Sequence, residues 1–181
     1  MPRHVQTDPT EYAERQTLVA ELAKEIQDPR PIGQPIVLEK RPTGPTGTQS
    51  IITNVIWDRW DECPRELRAD IILEAYERAL GVEDREKITL ALGVTVPEAA
   101  AMGLLPYVVS PTGRVREGPS KEDQQAMIRA GGSTLADPRL PVVRCATLED
   151  AEATIKYLEE QRPGSIWIIV HEVYPPGDSG Q

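Results

Sequence analysis

The sequence predicts an α+β fold: a mixed sheet of about six strands layered with four to five helices, preceded by an N-terminal amphipathic helix. Three observations carry that expectation. Short β-branched runs alternate with capped helical patterns, two early strands are adjacent, and the last stretch reads strand, helix, strand, helix, strand. Such alternation argues for a sheet covered on at least one face by helices. With 181 residues the chain fits one domain, taken as residues 9–174, between a flexible N-terminus 1–8 and a disordered tail 175–181.

The first helix, 9–27, opens on Asp8-Pro9-Thr10-Glu11, a capping box with proline at the first helical position. Leu18, Leu22 and Ile26, with Val19 beside them, form a narrow apolar stripe. That stripe must cover the sheet or meet a copy of itself. Ile36-Val37-Leu38 and Ile51 to Trp57 read as two strands, able to form a hairpin around a mobile loop at 41–49. Pro64 starts a strong helix whose buried face is Leu67, Ile71, Ile72, Ala75 and Ala79, stopped by Gly81. Lys87 to Leu92 is the third strand, and the capping-box start Thr95-Val96-Pro97-Glu98 leads into a short Ala-rich turn of helix, Ala99 to Met102, stopped by Gly103. Tyr107-Val108-Val109 is the fourth strand. Ser120 caps a helix to about Ala130, and Pro141 to Cys145 is the fifth strand. Thr147 caps the last helix, and Ser165 to Val170 is the sixth strand, whose unbroken apolar run reads as central and buried.

Hydrophobic residues make up 39% of the chain and Phe is absent, so Leu, Ile, Val and Ala must fill most of the core. The formal net charge of -9 disfavours phosphate backbones and anionic membranes, and nucleic acid is not an expected partner. No apolar run has the length of a spanning helix, and no signal-peptide pattern opens the chain. Two cysteines without CxxC spacing argue against a disulfide-stapled secreted domain, so the expected compartment is the cytosol.

Four features invite a functional reading. Cys63 directly precedes Pro64 and could take the N-cap of a long helix, where the dipole favours a thiolate nucleophile. Asp58, Asp61 and Glu62 crowd the same turn and favour the neutral thiol. The histidine in the ordered body available as a base is His171. Trp57-Asp58-Arg59-Trp60 is the most distinctive cluster. Either one indole stands at the surface beside Arg59 as an interaction point, or both cover the start of the following helix. Arg114, Arg116 and Lys121 form a locally basic loop that could hold a phosphate, without an aromatic residue to stack on bases. Gly44-Pro45-Thr46-Gly47 lacks the Gly-Lys-Ser/Thr of a P-loop and reads as a hairpin loop. No EF-hand or HExxH spacing occurs, so neither metal nor cofactor is expected.

The stretch Ile52 to Ala79, with Trp57-Asp58-Arg59-Trp60, Arg65-Glu66-Leu67-Arg68 and Ile71 to Tyr76, resembles segments of small uncharacterised bacterial proteins, as do Leu90 to Thr95 and Leu104 to Tyr107. That resemblance carries no activity. The order of strand, loop and Arg-bearing helix is similar to BolA/KH-like proteins, but the characteristic histidine of the BolA-type helix is missing. The expectation is a non-enzymatic cytosolic accessory module. It would bind a protein partner, or itself, through the Trp57/Trp60 surface or the first helix. The alternatives are thiol chemistry at Cys63 and nucleotide or nucleic-acid binding at the basic loop.

Overall fold

The computed structural model describes residues 9–29, 34–41, 50–112, 119–134 and 141–172. The N-terminus 1–8, expected to be flexible, the tail 175–181, expected to be disordered, and, of the mobile loop expected at 41–49, residues 42–49 lie outside them. The chain is α+β, but its strands do not join one six-stranded sheet. Among the described residues they form two three-stranded sheets, β1-β2-β3 and β5-β4-β6, with six helices. The two sheets belong to two compact units that divide after Thr95. The physical reason is visible in the cores: each set of three strands has its own helices to cover one face, so each buries a separate apolar cluster.

In the first unit, β1 (Ile36–Lys40) pairs antiparallel with β2 (Ile51–Ile56), as a hairpin requires. β2 then pairs in parallel with β3 (Ile88–Val94), and the crossover is α2 (Arg65–Leu80), which ends at Gly81 as expected, followed by the short α3 (Val82–Glu86), for which the sequence offered no expectation. The helix α1 (Pro9–Gln27) packs along α2. Its Leu18, Val19, Leu22 and Ala23 are buried in one cluster with Ile71, Ile72, Ala75 and Tyr76. Polar contacts fix the pairing: Arg15 Nη2 meets Glu74 Oε2 at 3.0 Å, Gln16 Nε2 donates to Glu74 Oε1 at 2.7 Å, and Gln27 Nε2 donates to the Ala79 carbonyl at 3.1 Å. The stripe offered for self-association is therefore spent within its own unit.

Two buried polar groups tie this unit together. The Arg68 side chain lies under the apolar face of α2 and donates to three backbone carbonyls: Trp60 (2.7 Å), Cys63 (3.2 Å) and Gly93 (3.3 Å). Tyr76, fully buried, donates its hydroxyl to Glu39 Oε1 at 2.6 Å, so the 3.0 Å contact with Thr53 Oγ1 is donated by the threonine. Glu39 in turn accepts from Arg41 Nη2 at 2.7 Å. That chain links α2 to the edge strand β1.

In the second unit, α4 (Val96–Met102) leads to β4 (Tyr107–Pro111), the central strand, which pairs antiparallel with both β5 (Val143–Cys145) and β6 (Trp167–His171). The helices α5 (Lys121–Arg129) and α6 (Leu148–Gln161) bury Ala126, Met127, Ala151 and Leu158 against one face, with Val109, Val143, Cys145 and Trp167. Both helix starts are capped by side chains: Ser120 Oγ accepts from Asp123 N and Thr147 Oγ1 from Asp150 N, each at 3.1 Å. β6 is an edge strand and not the buried central strand expected. Its apolar run is not evenly covered: α5 and α6 pack on the face of Trp167 and Ile169, while Ile168 and Val170 on the other face stay exposed.

A Cβ at Gly93 would sit 2.8 Å from Arg68 Cβ and 3.1 Å from Trp60 Cε2, both held in the core. Gly93→Ala is expected to lower stability by about 1–3 kcal/mol in denaturant unfolding, the range for overpacking a tight site. Burial, then the Glu39 hydrogen bond, raises the Tyr76 phenol above its ordinary value, with Thr53 acting the other way. The folded state therefore keeps this proton after the unfolded chain has lost it. The stability this contributes is complete below the ordinary phenol value of about 10 and falls as pH rises beyond it. Thermal unfolding followed upward through that range is expected to show a shallower alkaline loss in Tyr76→Phe than in the wild type.

Candidate functional site

The cluster singled out in the sequence forms a single 3₁₀ turn, Asp58–Glu62, between β2 and α2. Trp57 N donates to the Val94 carbonyl at 3.0 Å, continuing the pairing of β2 with β3 past the strand end. Trp60 turns back under the sheet, and its indole N–H donates to the Val55 carbonyl at 3.0 Å. The two rings meet edge to face, with centroids 5.3 Å apart. Trp57 is 4% exposed and Trp60 0%. Of the two arrangements open in the sequence the structure has the buried one: neither indole stands at the surface, and both lie in one cluster with Ile71 and Ile72 of α2. Arg59 is the outward member, lying 5.5 Å over the Trp57 ring and paired with Glu21 of α1. That side chain fastens the turn to the first helix.

Cys63 is not the N-cap of α2. Pro64 holds that position and Cys63 lies one residue outside it, in extended backbone, with its thiol 3.6 Å from the Pro64 carbonyl. Burial pushes the thiol up from its ordinary value, and Arg68 and Arg15 offset this only in part. His171 belongs to the other compact unit, on β6, where its ring stacks on Tyr107 with centroids 4.6 Å apart. Cys145 is also buried; burial raises its thiol, opposed by the contact with Thr154 at 3.6 Å.

Of the basic loop, Arg114 and Arg116 lie outside the described residues. Lys121 is exposed on the first turn of α5, beside Glu122 and Asp123. Asp123 is drawn below its ordinary value: burial alone would raise it, but hydrogen bonds with Ser120, Arg162 and Ser165 outweigh that. Its Oδ1 accepts from Arg162 Nε at 2.9 Å and from Ser165 Oγ at 2.8 Å, pinning the turn that leads into β6. Among the described residues, no group of three or more His, Cys, Asp and Glu side chains could hold a metal ion, and no helix is long and apolar enough to cross a membrane.

Two surface features were missed in the sequence. One is a cleft of about 260 Å³ in the second unit, reached by Met102, Ser133 and Arg144. The Arg144 guanidinium is already committed there, with Nη1 donating to the Leu105 carbonyl at 3.2 Å and to Glu172 at 2.8 Å. The other is the outer edge of β6. Ile168 and Val170 are 40% and 42% exposed on the sheet face away from α5 and α6, with Ile166 at 68% just before them. Thr112 N donates to the Ile166 carbonyl and Glu172 N to the Pro106 carbonyl, both at 2.8 Å, which fixes the hydrogen-bonding phase. Even-numbered residues of β6 turn their backbone groups toward β4. Trp167, Ile169 and His171 therefore direct theirs outward. Among the described residues no strand pairs with that edge. Alternating burial along 167–171 was the signal that the unbroken apolar run concealed.

No family model, curated protein or solved structure matches this chain.

A buried thiol with a raised value reacts slowly. In a Cys145→Ala background, alkylation of Cys63 is expected to reach half its maximal rate at a pH above the free-thiol value of about 8.5. A midpoint below that value would show an activated thiolate.

Proposed function

We propose that this chain is a non-enzymatic, cytosolic protein-binding module whose contact surface is the outer edge of β6. The observation that carries this reading is the coincidence, on one strand, of exposed Ile166, Ile168 and Val170 with outward backbone groups at Trp167, Ile169 and His171. An open edge of this kind accepts an added strand: backbone groups supply the pairing and alternate side chains the selectivity. Two further features support it. The Trp57/Trp60 cluster and the α1 stripe are both occupied inside their own unit, which leaves β6 as the better contact surface. The two buried free thiols suit a reducing compartment.

The nucleophile reading of Cys63 has weaker support, because burial favours its protonated form. The phosphate-binding reading rests, among the described residues, on Lys121 alone, with two acidic neighbours in the same helical turn.

A photo-crosslinking amino acid placed at position 168 of the full chain, in its own host cells, is expected to yield a discrete adduct heavier than the monomer. The same group at position 152, on the exposed face of α6, is expected to yield none. Equal yields at the two positions, or none at 168, would remove β6 as the contact surface.

A further inference from the structure

We infer that the occupant of the β6 edge is a second copy of this chain, paired antiparallel β6 to β6 about a two-fold axis at Ile168, so that two three-stranded sheets become one of six strands. The inference rests on the reading of β6 as a docking edge and adds the identity of its partner.

The first argument is charge. Residues 164–170, Gly-Ser-Ile-Trp-Ile-Ile-Val, carry neither a charge nor a proline, in a chain whose formal net charge is -9. Edge strands are ordinarily guarded against pairing by charged residues, proline or brevity. Two of the other three edges follow that rule: β1 carries Glu39 and Lys40 after Pro35, and β5 is three residues long with Arg144 at its centre, whereas β3 (Ile88–Val94) is, like β6, free of charge and proline. On β3 a single large apolar side chain, Leu90, is well exposed. β6 is a charge-free window, and a partner strand that fits it must be apolar and uncharged over the same length. β6 itself meets that description.

The second argument is register. Antiparallel pairing about Ile168 sets Trp167 opposite Ile169 of the other copy, and both direct their backbone groups outward. Ile168 then faces Ile168, and Ile166 faces Val170. Every exposed apolar side chain of the strand meets another. Ser165 falls opposite His171 and Gly164 opposite Glu172, so no like charges are opposed. A one-residue slip would turn the open backbone groups of one copy toward residues whose own groups already face β4.

The pairing makes a register-specific demand. Ile168 lies at a non-hydrogen-bonded position on the two-fold axis, where opposed Cα atoms are about 4.5 Å apart, within disulfide range. The experiment uses the purified full chain under a mild added oxidant, with wild type as the background for Cys63 and Cys145. Ile168→Cys is expected to convert largely to a covalent dimer. Ile166→Cys and Val170→Cys, each facing the other position's side chain, are expected to remain at background. Sedimentation of the wild type should show a dimer fraction that rises with concentration and with salt, because salt screens the repulsion between two acidic copies. Ile168→Lys should be monomeric. Ile166→Lys, at the more exposed position, serves the same purpose if Ile168→Lys fails to fold. Ile128→Lys, at an apolar position on α5 whose exposure lies between those of Ile168 and Ile166, should leave the dimer intact. A wild type monomeric throughout, or cysteines at all three positions crosslinking alike, would overturn the self-pairing. If the crosslinker at 168 still captures a different protein in cells, the module reading survives that failure; if it captures nothing, both fall.

Discussion

The first unit depends on one buried guanidinium. Arg68 reaches from α2 to carbonyls on the 3₁₀ turn, at the mouth of the helix and on β3, three pieces of chain with no common ladder to hold them. A buried charge is costly unless it is hydrogen-bonded, and these three carbonyls are among the groups that meet that need. That requirement explains Gly93, where any side chain would strike the Arg68 stem, and the inward turn of Trp60, whose ring closes the same space. The Trp57/Trp60 pair is thus best understood as part of the housing of a buried cation.

Where the sequence was legible, the signal was local. Ser120 and Thr147 each precede a helix and each accepts a hydrogen bond from the backbone three residues on. Gly81 and Gly103 follow helix ends at positive φ. The strands are equally visible as β-branched runs. What could not be read was how they pair, because a run such as Ile166 to Val170 looks the same whether helices cover one face or two. Separate sheets follow from separate helix layers, which are long-range packing facts.

The candidate site was less legible, for a similar reason. Alternation in β2 and its exit leaves the direction of Trp60 undecided until the 3₁₀ turn is known. Arg68 could have been found: it precedes Ile71, Ile72 and Ala75 by three, four and seven residues, which places it on the apolar stripe and not on the wet side. Gly93, inside a strand, was a second sign of close backbone approach. Neither alone names a function. Together they mark the Trp57 to Cys63 segment as structural and move attention to β6.

The clasp between α1 and α2 also bears on how the molecule tolerates shortening. Leu18, Val19 and Leu22 roof over Ile71, Ile72 and Tyr76, and the roof is joined to the rest through Glu74, Ala79 and Arg59. A chain beginning beyond Gln27 would keep every strand yet leave the broad apolar flank of α2 bare to water. Such a truncated species would be sticky where the intact protein is not, and any association it showed would report the missing roof, not the native contact.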